Sequence, residues 1–203
     1  MFPSQYHRRS GFTLIELLAT LFILAVLAGL TLGALRASRN HRRLFQSARV
    51  LRMDLEQASA LAQSEGVQVF LALAAATSEP EGARYRAWSL VRLSPDPLQI
   101  TEWRSLPEDW VIADFPDSYG AVSFADLLPP VSGEVDLVAV ADPDGRFQTT
   151  EGLEVVRFEI RKGEWFRLNS GDWSFDQDEE SFEGVDIELR PRTGVVLMEE
   201  VTL

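Results

Sequence analysis

Glu16 stands in an apolar sequence. From Phe12 to Leu35 the chain reads FTLIELLATLFILAVLAGLTLGAL, and Glu16 is its one charged residue. A carboxylate in such a run is costly, so it is expected to be partnered or functional. Other groups able to do chemistry are sparse. The 203-residue chain has no Cys and two His, His7 and His41, both ahead of the region that would form a folded domain. This excludes a disulfide, a thiolate nucleophile and a thiolate zinc site, and leaves a catalytic serine beyond His41 without a histidine base. No Walker-type or dinucleotide-binding glycine loop is present. A carboxylate pair of the glycosidase kind is compatible with an acidic sequence, but no two positions single themselves out. The reading is of a non-enzymatic protein, with no catalytic, cofactor-binding or metal-ligating residue assigned.

The second concentration of charge is segment 169–184, NSGDWSFDQDEESFEG. It holds Asp172, Asp176, Asp178, Glu179, Glu180 and Glu183 and no Lys or Arg. Calcium takes oxygen ligands of this type. The segment has no D-x-D-x-D-G loop, however, and a solvated acidic loop is the simpler account. Asp142 and Asp144, before Gly145, read as a turn. No cofactor is expected.

Charge is unevenly distributed. The chain has 19 Lys and Arg against 31 Asp and Glu, a net of −12. Arg8 and Arg9 precede the apolar run, and Arg36, Arg39, Arg42, Arg43, Arg49 and Arg52 follow it. From Met53 onward 11 basic residues face 30 acidic ones. Binding to nucleic acid rests on neutralising phosphates, so no nucleic-acid partner is expected for this part. The arginines after the apolar run suit either anionic lipid head groups or the plain solvation of a helix.

These groups need elements to hold them. Leu17 to Leu35 is an uncharged stretch, about 28 Å long as a helix at about 1.5 Å per residue. That matches a bilayer core of about 30 Å, and predicts a transmembrane helix over 12–35. Ala25, Gly29 and Gly33 recur every four residues and share a helix face that a second helix could approach closely. Leu44, Ala48, Leu51, Leu55, Ala58 and Ala62 then step by four and three. This predicts an amphipathic continuation over 36–65, closed by Gly66.

The string RRSGFTLIELLATLFILAVLAGL closely resembles the class III signal of type IV prepilins and type II secretion pseudopilins. The resemblance implies a leader peptide, residues 1–11, cut after Gly11 by prepilin peptidase, and methylation of the new N-terminal amine on Phe12. It implies that Glu16, fifth after the cut, pairs with the N-terminal amine of a neighbouring subunit. A buried carboxylate beside a buried ammonium is far less costly than either alone, so Glu16 would set register during assembly. The implied location is the bacterial inner membrane, single-pass, with the leader cytoplasmic and the C-terminal domain periplasmic. The arginine count alone points to the opposite orientation.

Beyond Gly66 the apolar period shortens towards two. Strands are predicted over 67–73, 85–93, 98–104, 110–115, 134–141, 153–161, 164–168, 185–189 and 195–201. Turns are predicted at Ser94–Pro97, at Lys162-Gly163 and over 191–194. The fold class is therefore α+β: one long N-terminal helix packed on an antiparallel β-rich domain over 66–203, which contains the acidic loop 169–184. Gly66 with VQVFL, Trp88, Leu106-Pro107, Asp142-Pro143-Asp144-Gly145 and Arg192-Thr193-Gly194-Val195 occur in an order similar to the H-type minor pseudopilins of type II secretion and the FimT-like minor pilins. The implied function is a minor pseudopilin in a periplasmic filament. Its implied partners are prepilin peptidase, other pseudopilin or pilin subunits, the inner membrane and a secreted protein cargo. A minor pilin for adhesion or DNA uptake is the alternative, and a membrane-tethered carbohydrate-active enzyme a third reading.

Overall fold

Why one helix serves two settings is visible in its side chains. The computed structural model describes residues 14–75, 77–78, 80–94, 98–116, 119, 121–123, 131–148, 155–167, 173–177 and 183–202, without the side chains of 30–40, 81, 121–123, 166–167, 173 and 202. Helix α1 runs Leu14–Glu65, and the chain divides into two units, Met1–Arg42 and Arg43–Leu203.

Within the second unit, Leu44, Ala48, Leu51, Leu55, Ala58 and Ala62 are all buried. They form one core cluster with Leu71, Leu73, Trp88, Leu90, Ile112, Phe158, Ile160 and Ile187. Each fully buried leucine contributes roughly 1.5–3 kcal/mol relative to exposure. The small Ala48, Ala58 and Ala62 are buried in the same stripe. The helix stops where the glycine demands it: Gly66 adopts φ 67 and its N–H donates to Ala62 O at 3.0 Å. Glycine takes this left-handed conformation without the Cβ penalty.

The strands are β1 Val69–Ala74, β2 Ala87–Arg92, β3 Leu98–Gln99, β4 Arg104–Ser105, β5 Trp110–Asp114, β6 Ala121–Ser123, β7 Glu134–Ala141, β8 Phe147–Gln148, β9 Val156–Arg167, β10 Trp173–Gln177, β11 Glu183–Arg190 and β12 Val195–Thr202. They form two antiparallel sheets. The first has the order β3-β2-β1-β7-β6, with β4 also on β2 and β8 on β7; the second has the order β10-β9-β11-β12, with β5 on β9. The fold is α+β. Every residue of β1 is buried, because the first sheet is covered on both faces. Phe70, Ala72, Val91, Val135, Leu137 and Val140 make a second cluster away from α1, with Trp103 and Tyr119 packed against it.

Three expectations change. The stretches predicted as a hairpin across Lys162-Gly163 are one strand, β9. Gly163 sits inside it because a Cβ there would collide with Asp176 O and with the Phe175 ring. A strand glycine can mark a close backbone approach instead of a turn. The strand predicted over 98–104 is broken into β3 and β4, both on β2. Between them Thr101 Oγ1 accepts from Leu90 N at 2.9 Å, and Ser89 Oγ donates to Thr101 O at 2.7 Å. The acidic segment 169–184 is not wholly a loop, since it contains β10, paired in register with β9 from Trp173↔Arg167 to Gln177↔Gly163.

The turn at Asp142–Gly145 forms as read. Gly145 N donates to Asp142 O at 2.7 Å, and Gly145 has φ 79. The turn docks on the helix, where Ser59 Oγ donates to Gly145 O at 2.7 Å. The β11–β12 turn lies against it, with Gly194 at φ 66 and the site of its absent Cβ 3.1 Å from Gly145 O.

Candidate functional site

The candidate site is the start of α1. Ten large apolar side chains between Leu14 and Leu27 are 48% to 81% exposed in the isolated chain. They point in every direction around the helix, whereas the stripe from Leu44 to Ala62 is one-sided. A helix apolar all round is one that other molecules or lipid must cover. Glu16 lies in its first turn and is exposed. Thr20 Oγ1 donates to Leu17 O at 2.9 Å, so this hydroxyl is satisfied by its own helix.

Ala25 and Gly29 are exposed, and a Cβ built on Gly29 would meet nothing within 4 Å. Both positions are therefore open to a close-approaching neighbour. Gly33 is helical, and its side-chain surroundings lie outside the described residues, as do the cleavage pair Gly11 and Phe12. Among the described residues no helix is long and apolar enough to cross a membrane; the described side chains of the apolar run end at Gly29.

The structure also assembles a polar centre that the sequence reading did not single out. Asp54 is buried, with its residue 2% exposed. Trp88 Nε1 donates to Asp54 Oδ2 at 2.9 Å, and Arg104 Nε approaches the same oxygen at 3.2 Å. Burial pushes the Asp54 carboxyl above its ordinary value of 3.8, while the Trp88 hydrogen bond and the Arg104 charge pull the other way. The centre ties α1 to β2 and β4. Its signal in the sequence was an aspartate on the buried side of the helix, between Leu51 and Leu55. The tie leaves the Asp54 carboxylate closed to solvent.

Of the acidic segment, Asp176 lies exposed in β10 and Glu183 opens β11. Asp172, Asp178, Glu179 and Glu180 lie outside the described residues, where the calcium question mostly falls. Among the described residues no group of three or more His, Asp or Glu is placed to hold a metal ion.

Residues 6–32 match the prokaryotic N-terminal methylation motif. No curated protein and no solved structure matches the chain. The motif is the type IV pilin-like prepilin signal, and it covers Gly11, Phe12, Glu16, Ala25 and Gly29 together. It marks a pilin-like structural subunit. It implies processing by prepilin peptidase and assembly with other pilin-like subunits.

Proposed function

We propose that the chain is a minor pseudopilin of a type II secretion-type periplasmic filament. The observation that carries this reading is the apolar surface of Leu14–Leu27, bared on every side within the methylation motif. Before assembly this segment lies in the inner membrane, with the leader 1–11 cytoplasmic and the domain periplasmic. Prepilin peptidase cuts after Gly11 and methylates Phe12. In the filament the helices of neighbouring subunits replace lipid around the segment, and Ala25, Gly29 and Gly33 allow close approach. Glu16 meets the N-terminal amine of a neighbour. An unpaired carboxylate in that apolar core would be strongly unfavourable, so pairing selects one axial register.

The role is structural, without a catalytic step and without a cofactor. The surplus of 30 acidic over 11 basic residues from Met53 onward supports cargo engagement over DNA uptake, because a phosphate backbone would be repelled.

Intact-mass measurement with and without prepilin peptidase tests the reading. The expected product lacks residues 1–11 and gains one methyl group. An uncut chain, or a cut near residues 34–38 as in an ordinary secretory signal, overturns it. Recovery of the cut chain in a retractile surface pilus would assign it as a minor pilin instead.

A further inference from the structure

A polar cleft of about 670 Å³ opens where β5 gives way to β10 along β9. Its cations sit deeper than its anions. Arg84, Arg86 and Lys162 are half-buried, whereas Asp109, Glu164 and Asp176 are exposed around them. Arg84 Nε is committed to Ser78 O at 3.0 Å. Arg86 Nε is buried without a hydrogen-bond partner among the described residues. A buried donor left unpaired is expensive, and such a group calls for an explanation. Arg86 as a whole is half-buried and lines the cleft, so a carboxylate entering it would meet the guanidinium charge.

The walls are rigid. Tyr85, between the two arginines, is itself buried. Its ring packs on Trp165 at a centroid distance of 4.6 Å and on Phe115 at 5.6 Å. Trp165 lines the cleft and is fixed by its Nε1 donating to Ile112 O at 3.1 Å. Trp165, which lines the cleft, is thus held by ring packing and a hydrogen bond before a ligand arrives.

The class of ligand follows from the rim and the edge. Glu164 and Asp176 are directly opposed across β9 and β10, and like charges so placed repel. They disfavour a polyanion and favour a ligand that brings neutral or basic groups beside one acidic group. Asp176 and Gln177, which line the cleft, belong to β10, the terminal strand of its sheet order. A terminal strand presents backbone donors and acceptors to which an extended chain can add.

We propose that this cleft binds an extended segment of another polypeptide, anchored by one acidic side chain on Arg86 and continued along β10, the terminal strand of its sheet order among the described residues. The site is separate from the apolar helix surface. It rests on the cleft alone, so failure of peptide binding and failure of leader cleavage are independent results.

The test uses the full chain in detergent micelles, immobilised and exposed to blocked hexapeptide libraries with one fixed Glu or one fixed Gln. Retention is read by mass spectrometry. The Glu library is expected to be retained at least about tenfold over the Gln library, corresponding to about 1.4 kcal/mol. Arg86→Gln should abolish the difference. Arg192→Gln, at an exposed arginine outside the cleft, should leave it intact. Thermal melting of both variants separates lost binding from lost folding, and Arg86→Lys, which keeps the charge, should retain part of the preference. Equal retention of the two libraries overturns the proposal, as does a preference that survives Arg86→Gln in a folded chain. Displacement of the Glu peptides by galacturonate but not by a second peptide would also overturn it, by showing a sugar-acid site.

Discussion

Residues Leu14–Gly29 and Arg43–Glu65 belong to one helix, yet they solve opposite problems. In the first stretch the apolar residues face all directions and are exposed; in the second they form a stripe that the strands bury. The backbone hydrogen bonding is the same. What differs is where the apolar side chains find cover. The second stretch is covered by its own domain, while the first leaves that task to lipid or to neighbouring subunits. Stability of the fold and competence for assembly are therefore encoded in different segments, and substitutions should separate them.

The largest effect on folding is expected in the buried stripe. Leu55 is fully buried, and Leu55→Ala should cost about 2–5 kcal/mol through lost transfer energy and the cavity left behind. Leu21, 55% exposed, is the matched control. Leu21→Ala should move the thermal midpoint of the domain by less than about 0.5 kcal/mol equivalent. Equal destabilisation by the two would erase the contrast between the segments.

Gly163→Ala ranks next. It has φ 152, and the added Cβ would fall against the backbone carbonyl of Asp176. Backbone cannot step aside as a side-chain tip can, so a cost of about 1–3 kcal/mol is expected. Denaturant unfolding measures it. A neutral outcome would mean that β10 is not held against β9 at this point.

That glycine also shows where sequence reasoning ended. The stripe Leu44–Ala62 was legible because the helical period is enforced by a one-sided core. Most strands were legible as short apolar runs bounded by turn residues, although β1, buried on both faces, does not alternate. Glycine at 163 was ambiguous, since a turn and a close backbone approach call for the same residue. Strand β10 was hidden by the carboxylates around it, which say where solvent is but not how the backbone pairs. The division into two sheets was not legible either: β1 and β11 use the same apolar vocabulary, and pairing partners are set by distant chain segments. The cleft draws on Arg86, Asp109, Lys162 and Asp176, which no local pattern connects. The methylation motif was legible for the opposite reason, because it is defined by the spacing of residues such as Gly11, Phe12 and Glu16 along the chain.

Asp54 should give a comparable effect that also depends on pH, with a defined sign. Its folded carboxyl sits above the ordinary 3.8 because burial outweighs the help from Trp88 and Arg104. The folded state therefore holds the proton more tightly than the unfolded chain. The Asp54 contribution to stability is fully present below pH 3.8 and is lost as pH rises through the folded value. Asp54→Asn keeps an acceptor for Trp88 Nε1 and removes the titration. The variant should lack that portion of the decline, as read from urea midpoints across the acid range. Asp54→Ala should be less stable than Asp54→Asn by about 1–3 kcal/mol, because the buried indole N–H loses its acceptor. If the wild-type and Asn profiles run parallel, the raised carboxyl is not what shapes them.

The smallest effect on folding, and the most informative for function, belongs to Glu16. Its side chain is exposed on the segment that carries no share of the domain core. Glu16→Ala should leave the thermal midpoint of the domain unchanged and should still be cut after Gly11. Incorporation into filaments should fall, because the N-terminal amine of the neighbour would then enter an apolar environment without its counter-charge. Glu16→Gln sharpens the point: it preserves size and hydrogen bonding but not charge, so it should fail as Ala does if the ion pair sets register. Filament fractions probed for the mature chain give the readout. Normal incorporation of both variants would remove the register role from Glu16, and would leave the apolar surface around it as the sole device for assembly.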